Sequence, residues 1–149
     1  MPLARPIRLL PIFLIAAGLF QAPALAQDQQ AAEEAAPRVS VELNRLESRN
    51  EGCRVWMRVG NPGPAVDPLR LDLVVFGKDS VVNRRLALDL GPLPAEKTMV
   101  RIFDLAGTPC DGLGYILLND VLACGPDAPP ACLARLSVSS RAQGVALEK

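Results

Sequence analysis

The chain has 149 residues, half of them hydrophobic, and its 16 basic and 16 acidic residues cancel. This length suggests one globular domain, and the balanced charge excludes the basic surface by which proteins bind nucleic acid. Because the sequence contains no histidine, it also excludes serine–histidine–aspartate and cysteine–histidine catalysis and lacks the commonest metal ligand. We therefore expect no nucleic-acid partner, no metal site and no cofactor.

The first 26 residues have the features of a secretory signal peptide. Arg5 and Arg8 precede an apolar run from Leu9 to Phe20, and Ala24-Leu25-Ala26 is a small-x-small cleavage site. The run is shorter than the roughly 20 residues that span a bilayer, which argues against a membrane anchor. We predict a signal peptide over 1–26, export to the periplasm, and no membrane-spanning segment after cleavage.

Two further segments have little apolar surface to bury. Residues 27–37, QDQQAAEEAAP, are polar and end at a proline, which predicts a disordered tether, with a short helix as the alternative. Residues 142–149 at the other end are predicted to form a flexible tail. The folded domain is therefore expected over 38–141.

Within this domain, apolar and polar residues alternate as they do in half-buried strands. A strand over 115–123 is favoured over a short helix, and weak alternation suggests a seventh strand over 133–139. Residues 107–114 and 124–132 are predicted as loops. The five clearest strands are predicted over residues 39–46, 53–59, 69–75, 82–90 and 98–105.

The third and fourth strands form the clearest pair. A short polar turn joins them, which predicts a β-hairpin whose leucines, Leu71, Leu73, Leu86 and Leu88, share one buried face. Short strands separated by turn signals indicate an all-β fold, an antiparallel immunoglobulin-like β-sandwich of about seven strands. The Cys–Trp–Cys spacing of a true immunoglobulin domain is absent.

All four cysteines follow the predicted cleavage site, and an even number in an exported chain indicates two disulfides. Cys124 and Cys132 are close in sequence, so we predict that they pair, which leaves Cys53 to pair with Cys110. A redox pair or a metal site is the alternative. The chain has no C-x-x-C motif to support it.

The acidic residues are the remaining candidates for catalysis, because paired carboxylates cleave glycosidic bonds. They stand singly, at turns or at alternating strand positions such as Asp72, Asp89 and Asp104, where solvent-exposed charge is expected. No glycine-rich phosphate loop and no D-x-D calcium spacing occurs. We expect no catalytic residue.

Two groups of residues are weak candidates for binding. Arg54, Trp56 and Arg58 alternate onto one face of the second strand, and tryptophan and arginine dominate protein-binding hot spots. The alternative is that Trp56 packs under a loop or under the N-terminal segment. Asn119 and Asp120 interrupt the apolar run ILLNDVLAC, where they either contact a ligand, face solvent or cap a bend.

The segments LRLDLVVFGKDSVVNRRLALDLGPLPAEKT, FDLAGTPC and LLNDVLAC resemble a group of small exported alphaproteobacterial proteins. These are labelled as signal-sequence proteins of unknown function, sometimes as twin-arginine pathway proteins, although this chain has no twin-arginine pair. The resemblance spans residues 39–141 and implies a periplasmic setting. The layout also looks like immunoglobulin-like modules of bacterial envelope proteins, and neither group implies a catalytic residue.

The sequence thus favours an exported, disulfide-stabilised, non-catalytic binding or accessory module of the periplasm, with an envelope protein as partner. One alternative is a small envelope enzyme that uses carboxylates. The other is a protease inhibitor that presents the loop between Cys124 and Cys132.

Overall fold

The computed structural model describes residues 39–149, and strands dominate it. The predicted signal peptide over 1–26 and tether over 27–37 lie outside the described residues. A 3₁₀ turn, Cys110–Gly112, precedes the sixth strand. The elements are β1 (Ser40–Arg49), β2 (Gly52–Asn61), β3 (Val66–Gly77), β4 (Val82–Leu93), β5 (Lys97–Ala106), β6 (Leu113–Cys124), α1 (Pro129–Arg135), β7 (Ser137–Ser140) and β8 (Ala146–Glu148).

The strands form two sheets of four, which confirms the predicted all-β sandwich. The first sheet has the order β5-β2-β1-β7 and the second has the order β4-β3-β6-β8. The long strands pair antiparallel, whereas β7 runs parallel to β1 and β8 runs parallel to β6. The immunoglobulin-like assignment stays a prediction.

The core lies between the two sheets and follows from the alternation in the sequence. Leu71, Leu73 and Leu88 are buried and Leu86 is half-buried, all in one apolar cluster. The hairpin face predicted from these leucines is therefore confirmed. Each fully buried leucine contributes about 1.5–3 kcal/mol of hydrophobic stabilisation.

The C-terminal segment differs from the predicted flexible tail over 142–149. Residues 146–148 form β8 beside β6, and the buried side chain of Leu147 belongs to the core. The Lys149 ammonium donates hydrogen bonds to the carbonyl oxygens of Leu133 and Leu136 at 3.0 and 2.8 Å. A three-residue strand is too short to produce a detectable alternation, which is why the sequence did not predict it.

The strand suggested over 133–139 is also corrected. The helix α1 extends to Arg135, and β7 begins only at Ser137. Two prolines begin α1, where the missing N–H groups would have no partner in the helix. The loop predicted over 124–132 therefore ends in the first turn of a helix.

One open side of the sandwich lies between β4 and β5, and two arginines bridge it. Arg101 on β5 donates a hydrogen bond from Nε to the Leu90 carbonyl oxygen on β4, at 2.7 Å. Arg84 on β4 donates from Nη2 to the Ala106 carbonyl oxygen on β5, also at 2.7 Å. Both arginines use the polar ends of their side chains to join the sheets at this side.

Candidate binding face

The two disulfides have the predicted pairing. Cys53 on β2 is linked to Cys110 in the 3₁₀ turn, across 57 residues of sequence. Cys124 at the end of β6 is linked to Cys132 in α1, across eight residues. The first bridge therefore ties the start of β2 to the chain entering the second sheet, and the second bridge holds α1 against β6.

The predicted binding residues of β2 point outward from the first sheet, where β1 and β5 flank them. The register places Trp56 between Arg45 on β1 and Ile102 on β5. We call this surface the Trp56 face. It consists of Arg45, Glu47, Arg54, Trp56, Arg58, Val100, Ile102 and Asp104.

Polar neighbours fix the orientation of Trp56. Its Nε1 donates a hydrogen bond to Oε2 of Glu47 at 3.1 Å. The Arg45 guanidinium carbon lies 5.8 Å from the ring centroid, within the range of a cation–π contact. Glu47 also pairs with Arg49 at 3.3 Å. The indole is therefore half-buried and held in place on the sheet surface.

Arg54 and Asp104 form a bidentate ion pair across β2 and β5. Nε and Nη2 of Arg54 donate to the two carboxylate oxygens of Asp104 at 2.8 and 3.0 Å. These hydrogen bonds lower the pKa of Asp104 below its ordinary value and raise the pKa of Arg54. More than half of the Asp104 side chain is exposed, so solvent screens the pair.

The third predicted residue, Arg58, has a different environment. It is exposed and lies between Glu42 on β1 and Val100 on β5 in the register, and its charge helps to lower the pKa of Glu42, although no direct ion pair or hydrogen bond engages its guanidinium within residues 39–149. Val100 is 52% exposed and Ile102 is 49% exposed. A large aromatic ring, two accessible aliphatic side chains and an available arginine therefore adjoin one another, as they do in protein-binding hot spots.

The structure separates Asn119 and Asp120 from the Trp56 face, because both lie on β6 in the second sheet. Asn119 donates from Nδ2 to the Asp72 carboxylate at 2.6 Å. The Asp120 carboxylate accepts a hydrogen bond from the Val121 N–H at 2.7 Å. Both side chains therefore contact groups of their own sheet.

The acceptor of the Asn119 hydrogen bond, Asp72, corrects an expectation. Its alternating strand position predicted solvent exposure, but only 4% of its side chain is exposed. Nε and Nη2 of Arg85 on β4 both donate to its carboxylate at 2.8 Å. The hydrogen bonds from Arg85 and then Asn119 lower the pKa of Asp72, although burial opposes them. Asp72 and Arg85 occupy one face of the predicted hairpin, and that cross-strand placement was the available signal.

A small cavity of about 230 Å³ lies between the β2–β3 connection and α1. Its walls are mainly apolar and include the Cys124–Cys132 disulfide, while Asp127 and Arg135 form an ion pair beside it. The volume is below the ~300–1,000 Å³ of typical ligand pockets. Four residues of the disulfide loop, 125–128, lie outside both β6 and α1.

Among the described residues, no cluster of carboxylates or cysteines is arranged to hold a metal ion. None of the helical segments between residues 39 and 149 reaches the length and apolar character of a membrane span. Comparisons of the chain with protein-family models, with curated proteins and with solved structures find no match in any of the three. The resemblance to exported alphaproteobacterial proteins stays a prediction.

Proposed function

We propose that this chain is an exported, non-catalytic binding module of the periplasm, which binds an envelope protein through the Trp56 face. Two disulfides are typical of proteins in an oxidising compartment, and the signal-peptide features of residues 1–26 supply the route there. The domain is small and cross-linked by two disulfides, so the Trp56 face lies on a stable scaffold.

The observation that carries the proposal is the exposure of Val100 and Ile102 beside Trp56. Exposure of large aliphatic side chains to water is unfavourable, and a partner surface that covered them would stabilise the complex. Arginine and tryptophan are enriched at such interfaces, and both are present around these two side chains. The hydrogen bond and the cation–π contact of Trp56 orient the ring before a partner arrives, which lowers the entropic cost of binding.

The carboxylates support the non-catalytic part of the proposal. A general acid needs a pKa raised towards neutral pH. Among residues 39–149 the acids with a shifted pKa are Glu42, Asp72 and Asp104, and hydrogen bonds from amides and arginines lower all three values. These groups stay ionised and bound to their partners, as structural ion pairs do.

Site-specific photocrosslinking in living cells tests the binding face. A photoreactive amino acid replaces Ile102 in one strain and Leu122, an exposed residue of β6 in the other sheet, in the control strain. We expect a discrete crosslinked adduct from position 102 and none from position 122. We also expect that Arg58→Glu, by reversing the available charge, weakens the adduct at 102 at least several-fold.

Two results would contradict the proposal. Equal adducts from positions 102 and 122 would show that contact with the Trp56 face is not specific. The face is not used if position 102 gives no adduct while the periplasmic protein has the intact mass of a chain that starts at Gln27. A retained Met1 in that fraction would contradict the export route.

A further inference from the structure

The four edges of the two sheets are not equally protected against pairing with another strand. Edge strands β7 and β8 have only four and three residues. Edge strand β4 contains Pro92 and a left-handed Gly91 (φ 65°), and its register with β3 shifts in three places. These are the devices by which proteins prevent edge-to-edge pairing.

Edge strand β5 has a different construction. It runs for ten residues without proline, and its register with β2 is continuous from Lys97 to Ala106. Within residues 39–149, β2 is the only strand that pairs with it. A long, regular edge that carries exposed aliphatic side chains is a template for an added strand.

The alternation of hydrogen-bonded pairs between β2 and β5 shows which residues of β5 direct their backbone N–H and C=O groups towards the open edge. The Gly107 N–H donates to the Glu51 carbonyl oxygen at 2.6 Å, so this pair is a hydrogen-bonded pair of the antiparallel ladder. Counting back along β5, every second residue from Ala106 turns its N–H and C=O away from β2, and of these groups the Ala106 C=O already accepts a hydrogen bond from Arg84. Val100 and Ile102 belong to this set, so the two exposed side chains stand on the residues with outward-facing backbone groups.

We propose that an extended segment of an envelope protein adds a strand to the first sheet at the β5 edge. The inference rests on the proposed function and specifies how the partner of the Trp56 face binds. Main-chain hydrogen bonds to the outward-facing groups of β5 supply affinity, and contacts with Val100, Ile102 and Trp56 supply specificity.

Charge indicates the chemistry of that segment. The charged residues on β5 and on the outward positions of β2 include four basic side chains but only one acidic side chain. The acidic one, Asp104, already binds Arg54, and Arg101 already donates to the Leu90 carbonyl oxygen on β4, which leaves Lys97 and Arg58 for a partner. An incoming strand with apolar residues at alternate positions and carboxylates near its ends complements this edge. The basic residues are Lys97, Arg101, Arg54 and Arg58.

A second copy of this chain is a poorer occupant. An antiparallel pairing that sets Val100 of one copy opposite Ile102 of the other also sets Arg101 opposite Arg101. Like charges that face each other directly across strands are destabilising. A strand with carboxylates near its ends instead places favourable charge near Lys97 and Arg58, so the observations favour a different chain as the partner.

A synthetic peptide tests the inference on the exported chain. The probe is acetyl-Glu-Val-Thr-Ile-Thr-Val-Glu-amide, and its control carries lysine at both ends. Amide hydrogen exchange is followed by NMR while the peptide is added. We expect slowed exchange at Val100 and Ile102, saturable binding, and at least about tenfold weaker binding of the lysine peptide.

A matched pair of variants separates the edge from the side chain. Val100→Ala and Val100→Pro both remove the valine side chain, but only proline removes the outward N–H. We expect Val100→Pro to bind the peptide at least about tenfold more weakly than Val100→Ala. Val82→Ala, on the other long edge strand, removes a valine of similar exposure (55%) and should leave binding unchanged.

Several outcomes would overturn the inference. These are unchanged exchange at Val100 and Ile102 with the peptide in excess, protection of β4 in place of β5, or equal binding by the two position-100 variants. If the protein forms dimers and Val100→Lys dissociates them, the occupant of the β5 edge is a second copy of this chain. If the peptide binds only after residues 27–37 are deleted, the occupant is that segment. If a crosslink forms at position 102 but amide exchange in β5 is unchanged, only strand addition is refuted and the proposed function stands. If no crosslink forms, the proposed function is refuted.

Discussion

Each sheet contributes a cysteine of a disulfide and has an arginine–aspartate pair. The two sheets differ in the sequence span of the disulfide and in the burial of the aspartate. The long-range disulfide, Cys53–Cys110, links β2 of the first sheet to the turn before β6, and the arginine–aspartate pair of the first sheet is exposed to solvent. The second sheet has the short-range disulfide, Cys124–Cys132, but the aspartate of its pair is buried. The two arginine–aspartate pairs therefore differ in the burial of the aspartate, whereas the Arg85 side chain itself is 67% exposed.

This difference relates stability to function. The Arg54–Asp104 pair beside Trp56 is exposed to solvent, so its polar groups can remain accessible to a partner. In the second sheet, the Asp72 carboxylate is bound by Arg85 and Asn119 and is not accessible to a partner. The comparison predicts that equivalent substitutions in the two sheets have unequal effects.

The largest expected effect concerns the disulfides. On the chain-entropy model, the loop closed by Cys53–Cys110 contributes about 4 kcal/mol and the loop closed by Cys124–Cys132 about 2.5 kcal/mol. We therefore expect Cys53→Ala with Cys110→Ala to destabilise the protein more than Cys124→Ala with Cys132→Ala. Urea unfolding of the two double variants measures the difference, and an equal loss would remove the covalent half of the comparison.

The second effect concerns the two aspartates of the ion pairs. Asp72→Ala should cost about 2 kcal/mol, because it removes a buried acceptor of three charge-assisted or amide hydrogen bonds. Asp104→Ala removes a bidentate partner of similar geometry from an exposed position, and we expect a smaller shift of the urea midpoint. Equal shifts for both variants would show that burial does not distinguish the pairs.

Sequence alone predicted the parts of this fold that repeat over many residues. The alternation in β2, β3 and β4 was long enough to fix the identity of each strand and the buried face of the hairpin. The elements β7 and β8 were missed or misplaced because each is too short for a period to show. Both form against a strand far away in sequence, so tertiary pairing and not local propensity decides them.

The candidate site was predictable only in part. Arg54, Trp56 and Arg58 were placed together by their spacing of two, which the strand geometry requires. Their neighbours Val100 and Ile102 come from β5, and no local pattern states which strand lies beside β2. Asp72 was misjudged because an acid at an alternating position looks solvent-exposed until the partner that covers it is known.

The third prediction concerns pH. The pKa of Asp72 in the folded protein lies below its ordinary value of 3.8, chiefly because Arg85 donates to it. Its stabilising contribution is therefore complete above about pH 4 and is lost as the pH falls through the folded pKa. Thermal unfolding between about pH 5 and pH 2 should lower the melting temperature of the wild type more than that of Asp72→Asn. Asp104 and Glu42, whose pKa values are also lowered, contribute equally to both proteins.

Parallel pH profiles for the wild type and Asp72→Asn would contradict this assignment. They would show that Asp72 has the same proton affinity in the folded and unfolded chains. Ionisation of Asp72 would then add no net stability to the folded protein, and the contrast between the sheets would be one of packing only.

The smallest expected effect is that of salt on the coupling within each pair. At about 1 M salt the screening length falls to about 3 Å, and exposed pairs are weakened more than buried ones. A double-mutant cycle of Arg54→Ala and Asp104→Ala should therefore give a coupling that disappears at about 1 M sodium chloride. The cycle of Arg85→Ala and Asp72→Ala should keep most of its coupling. If the first coupling instead resists salt as well as the second does, solvent exposure does not distinguish the two pairs, and this part of the comparison fails.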